Sequence, residues 1–63
     1  SKYKDLSSRD LKILMLMKIG TSDEKIATYF DIQEKTLLVD KNKILAKMSL
    51  SSIEELKILL SEL

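Results

Sequence analysis

Residues 22–37 read Ser22-Asp-Glu-Lys-Ile-Ala-Thr-Tyr-Phe-Asp-Ile-Gln-Glu-Lys-Thr-Leu37. Ser22 is placed to cap a short helix, and Asp23 and Glu24 suit the positive end of its dipole. Ile26, Ala27 and Phe30 recur at helical spacing, which predicts an inward stripe on a helix over 23–30. Asp31-Ile32-Gln33 then makes a three-residue turn with one buried anchor, Ile32. A longer helix is expected over 34–48. Leu37, Ile44 and Met48 share one of its faces, and Lys41 lies near that stripe with its stem snorkelling past it.

Outward from this centre the same grammar repeats. Upstream, Ser7 is a helix cap with Asp10 at the capping-box position, and Leu6 is expected to pack onto Leu11 or Leu14. The helix runs over 8–19 with Ile13, Leu14, Leu16 and Met17 as its inward arc. Gly20 ends it, because glycine takes the left-handed conformation without a Cβ penalty. Downstream, Ser51-x-x-Glu54 and Ser52-x-x-Glu55 both match a capping box. They open a helix over 52–63 whose apolar stripe is Ile53, Leu56, Leu59, Leu60 and Leu63. Residues 1–5, including Lys2, Tyr3 and Lys4, read as a flexible tail or linker remnant. Residues 6–63 form one domain, an all-α four-helix bundle.

Composition narrows the function. At 63 residues the chain is a single domain, and it has no Cys and no His. Neither a disulfide framework nor a Cys/His zinc site can staple so small a fold. Stability must come from the 44% of residues that are hydrophobic. No metal or cofactor is expected. Without His, Cys or a glycine-rich phosphate loop, an enzyme is a poor reading. Glu54 and Glu55, being adjacent on a helix, point apart. The longest apolar run, Ile13 to Met17, is far too short to span a bilayer, and no segment joins a strongly basic face to a broad apolar one. The lack of Cys fits a reducing compartment, so a cytoplasmic location is expected. A start at Ser1 is consistent with a piece of a longer protein.

The net charge of +1 is not that of a basic nucleic-acid binder. Its distribution is more informative. Residues 1–19 carry +3, residues 20–32 carry −2, residues 33–48 carry +2 and residues 49–63 carry −2. Two basic segments can therefore share a face. A short helix, a tight turn and a longer helix are the helix-turn-helix geometry, in which the first helix props the second so that its outward face can lie in a major groove.

From Leu6 to Leu50 the chain resembles, without a gap, the LuxR-type (GerE-like) helix-turn-helix domain of bacterial response regulators and quorum-sensing activators. Leu6-Ser7-x-Arg9-Asp10 is similar to that family's L-T-x-R-E. Ile13-Leu14-x-Leu16 followed by Gly20-x-Ser22 resembles V-L-x-L and G-x-S. Asp23-Glu24-Lys25-Ile26-Ala27 sits where N-K-E-I-A is usual. Phe30-x-Ile32, Glu34-Lys35-Thr36-Leu37 and Ile44-x-x-Lys47-Met48-x-Leu50 resemble L-x-I, E-K-T-V and I-x-x-K-L-x-V. The resemblance implies a regulator domain that binds double-stranded DNA with its third helix and pairs with a second copy through its fourth. It also implies a receiver or sensor domain N-terminal to this region. The departures fall on the third helix, just before it, and at Lys25, where the family has Glu. Where the family reads K-x-H, this chain has Leu38, Val39 and Asp40, and the usual capping Ser is Gln33.

Each candidate residue has a plainer alternative. Asn42 is a candidate for a base edge, and Leu38 and Val39 for thymine methyls. Lys35, Lys43 and Lys47 are candidates for phosphates, against a merely solvated face. Asp40 would oppose a phosphate by about 1 kcal/mol in solvent. Ser22 and Thr36 sit where the family offers hydroxyls to phosphate, and Lys25 joins them. Ser22 is a helix cap first. Arg9 resembles a family arginine, or else bridges to Asp5, Asp31 or Asp40. Leu11, Met15 and Ile19 form a second apolar line on the first helix, covered either by the fourth helix or by another domain or subunit. Leu56, Ile58, Leu60 and Leu63 are candidates for a dimer contact. The competing function is a protein-interaction module built on a degenerate helix-turn-helix frame, favoured by Leu38, Val39 and Asp40.

Overall fold

The computed structural model describes residues 5–63. The expectations for Lys2, Tyr3 and Lys4 lie outside the described residues. Four helices follow in order: α1 (Ser8–Lys18), α2 (Asp23–Phe30), α3 (Glu34–Lys47) and α4 (Ile53–Ser61). Among the described residues there is no strand, and no helix is long and apolar enough to cross a membrane. The expected ends of α1, α3 and α4 overreach slightly, because Ile19, Met48, Ser52 and Glu62 are capping residues rather than helical ones.

The starts follow the sequence. The Ser7 hydroxyl accepts from the Asp10 N–H at 3.0 Å, and the Asp10 carboxylate accepts from the Ser7 N–H at 3.0 Å, a complete capping box. Ser22 caps α2 through the Lys25 N–H at 3.3 Å. At α4 the cap is Ser52, which accepts from the Glu55 N–H at 3.1 Å. The Ser51–Glu54 alternative does not form. Instead the Glu55 carboxylate accepts from the hydroxyl and the N–H of Ser51, and these bonds hold it below its ordinary pKa. Gln33 makes no side-chain cap.

Three helix ends share one device. Gly20, Asp31 and Ser49 are left-handed, with φ of 86°, 57° and 59°. In each case the next N–H reaches back to the last turn: Thr21 to Leu16, Ile32 to Ala27 and Leu50 to Leu45, all at 2.9 Å. Ile32 and Leu50 then fold their side chains against the core. The chain thus reverses direction with a single glycine and no proline.

Ile13, Ile26, Leu37, Ile44 and Leu56 are fully buried where the four helices meet, each contributing roughly 1.5–3 kcal/mol. Leu45, which the apolar stripe of α3 does not include, is buried as well. Leu63, expected in the stripe of α4, is instead 77% exposed beyond the helix end. Lys41 does not snorkel to water. It is 5% exposed, and its ammonium is ion-paired with Asp23 at the start of α2. Lys18 closes α1 onto α4 by donating to the Leu60 carbonyl at 2.9 Å and the Leu63 carbonyl at 3.0 Å.

Two measurements test this framework. Ser49→Gly removes a Cβ from a left-handed residue and is expected to stabilise the fold by up to about 1 kcal/mol, raising Tm, whereas Ser49→Val is expected to lower it. Partial burial pushes the Asp10 carboxyl up, but the hydrogen bond from Lys47, the Ser7 N–H and the Lys47 charge outweigh it and leave the pKa below its ordinary 3.8. The stability Asp10 supplies is therefore present above 3.8 and is lost as pH falls through its lowered native value. In urea melts, wild type is expected to exceed Asp10→Asn at neutral pH, with the gap closing in acid.

Candidate nucleic-acid interface

An α-helix turns through 100° per residue, so the core side of α3 fixes where its other residues point. Leu37, Ile44 and Met48 face inward. Lys35, Val39, Asn42, Lys43 and Ala46 fall on the opposite side, and all five are exposed. No carboxylate interrupts this surface. Asp40 and Lys47 lie on one flank of it, turned toward α1. Leu38 lies on the other flank, where it lines a cleft of about 460 Å³ with Met17, Ser22, Ile53 and Lys57. Leu38 is thus displaced from the centre of the surface it was expected to share with Val39.

The cations divide into two sets. Among the described residues, ion pairs engage Arg9, Lys41 and Lys47, and none engages Lys25, Lys35 or Lys43. Lys47, expected on a phosphate, donates to Asp10 at 2.7 Å. Arg9 donates to Asp40 at 2.9 Å, so of its three possible partners Asp40 is the one it takes. Its guanidinium also lies over the Phe30 ring, 5.3 Å from the centroid, and Tyr29 meets Phe30 edge-on at 4.9 Å. The carboxylate expected to oppose phosphate is thereby neutralised from within the chain.

On α2, Ser22, Lys25 and Tyr29 lie along one side of the helix, away from Ile26 and Ala27, and all three are exposed. Tyr29 was not among the sequence candidates. Its spacing of seven from Ser22 and four from Lys25 is the signal that could have found it. Thr36 is exposed in the first turn of α3, with its N–H bonded to the Gln33 carbonyl at 3.0 Å.

The partner-face candidates separate in the same way. Leu56 and Leu60 are buried in the chain's own core, so neither can form a dimer surface. Ile58 and Leu63 remain exposed. On α1 the line of Leu11, Met15 and Ile19 is not covered by α4, and Met15 and Ile19 are 68% and 75% exposed. Leu11 and Met15 open onto an apolar groove of about 330 Å³, together with Leu6, Leu59 and Leu63. Among the described residues, no group of acidic residues is arranged to hold a metal ion.

The sequence profile of the family described as bacterial regulatory proteins, luxR family, matches residues 4–60. No curated protein and no solved structure matches the chain significantly. The family match spans nearly all of the 63 residues and takes in α1 to α3 and all but the last residue of α4. The chain belongs to the luxR family of bacterial regulatory proteins, as a DNA-binding helix-turn-helix domain.

Proposed function

We propose that this domain binds double-stranded DNA in a sequence-specific manner as part of a bacterial transcription regulator, with α3 in the major groove. The observation that carries the reading is the outward side of α3, which presents Lys35, Val39, Asn42 and Lys43 without a carboxylate among them. Asn42 offers the amide pair that suits adenine, and Val39 an apolar contact for a thymine methyl. Lys35, Lys43 and Lys25, together with the hydroxyls of Thr36 and Ser22, supply phosphate contacts. Arg9 and Lys47 stand behind this surface and hold it in place. Leu38 contacts the duplex only at its edge.

A second copy pairs through α4, where Ile58 is exposed between Glu54 and Glu62. The line of Leu11, Met15 and Ile19 receives another part of a longer regulator, such as a receiver or sensor domain. The chain acts in the cytoplasm, without cofactor or catalysis. The second reading, a protein-interaction module, is favoured by the apolar groove beside Met15. The two differ in their response to salt. Counterion release makes DNA binding salt-steep, whereas an apolar docking face resists salt.

Random-oligonucleotide selection with the purified chain, followed by fluorescence polarisation across a salt series, tests the reading. Lys35→Ala and Lys43→Ala are each expected to weaken binding to every duplex and to reduce the salt slope by about one. Asn42→Ala is expected to relax preference at one base pair, at about 1–3 kcal/mol. Absence of binding to any duplex at low salt would overturn the reading.

A further inference from the structure

Arg9 and Asp40 are 31 residues apart, yet their side chains meet at 2.9 Å. Asp40 is only 20% exposed at its side chain, whereas Arg9 is 47% exposed. The carboxylate therefore sits behind the guanidinium, on the α1 flank of α3, one residue from Val39 and three from Lys43. Phe30 lies under the guanidinium plane and restricts where Arg9 can swing. The neighbouring Asp10 meanwhile holds Lys47 at 2.7 Å. Asp40 and Lys47 are seven residues apart, two helical turns, and so share one flank. The first turn of α1 thus grips α3 twice, with charges of opposite sign.

A bare carboxylate at Asp40 would repel any polyanion approaching Lys43. We infer that Arg9 is a positioning residue that masks Asp40, rather than a phosphate ligand. Its charge cancels the acid beside Val39 and Lys43, and its hydrogen bond to Asp40 and its place over Phe30 hold the azimuth of α3. Lysine at this position would keep the charge but lose the broad guanidinium over Phe30. This inference rests on the DNA-binding reading above. It adds that affinity depends on the charge balance of the Arg9–Asp40 pair rather than on Arg9 alone.

The test is a charge cycle on the duplex selected with the wild-type chain, read by polarisation against salt, with circular dichroism confirming the helical fold. Arg9→Gln is expected to lose about tenfold in affinity and to show a shallower salt slope. Asp40→Asn, which liberates a cation, is expected to bind more tightly than wild type with a steeper slope. The double variant Arg9→Gln/Asp40→Asn, which has the wild-type net charge, is expected to return to within about threefold of wild type. Arg9→Lys is expected to fall between wild type and Arg9→Gln. The inference is overturned if the double variant binds as weakly as Arg9→Gln, which would make Arg9 itself the phosphate ligand. It is also overturned if Asp40→Asn binds no better than wild type. Should Arg9→Gln unfold, Asp40→Asn and the double variant still decide the matter. A wild-type chain that binds no duplex would defeat the DNA reading itself, an outcome distinct from a failed rescue.

Discussion

The structure depends on how α3 is anchored. Among the described residues, all three salt bridges end on this helix: Arg9 to Asp40, Asp10 to Lys47 and Asp23 to Lys41. The Arg9–Asp40 and Asp10–Lys47 pairs reach solvent and are worth only about 0–1 kcal/mol each, so they do not make the domain stable. Their role is orientation. The order Arg9-Asp10 on α1 meets Asp40 and Lys47 on α3 in only one direction, since the reverse would set like charges together. Stability comes from Ile13, Ile26, Leu37, Ile44 and Leu56, and the ion pairs select which way the outward side of α3 turns.

The angle between α2 and α3 has a separate origin. Asp31 accepts a left-handed conformation that most residues resist, which lets the Ile32 N–H close on Ala27 and sends the Ile32 side chain inward. Lys41, buried and paired with Asp23, fixes the other end of α2 to the middle of α3. The buried ammonium would be strongly unfavourable without its carboxylate, so the pair constrains the helix crossing more than it strengthens it. The short helix can then serve as a prop for the long one.

Much of this was legible in the sequence because it is local. Caps at Ser7, Ser22 and Ser52, the glycine stop at Gly20 and the bounds of α2 follow from residue chemistry within a few positions. The contributions that escaped are those set by another helix. Lys41 is buried because Asp23 meets it from α2. Lys47 is ion-paired because Asp10 meets it from α1. Periodicity shows that α1 is apolar nearly all round, but it cannot say which side α4 will choose, and the line of Leu11, Met15 and Ile19 stays uncovered. The candidate interface was legible in its outline at Lys35, Val39, Asn42 and Lys43. The pairing of Asp40 was not, because it required knowing which of three acids Arg9 reaches.

In the proposed function, the outward side of α3, held in place by α1 and α2, is the surface a duplex touches. The most direct measurement is a titration of the isotope-labelled chain with the selected duplex, followed by amide cross-peaks in solution. The largest changes are expected on residues 35–46, with a second group at Ser22 and Lys25, while Leu11, Met15 and Ile58 stay still. Changes confined to α1 and α4, with α3 unmoved, would contradict it.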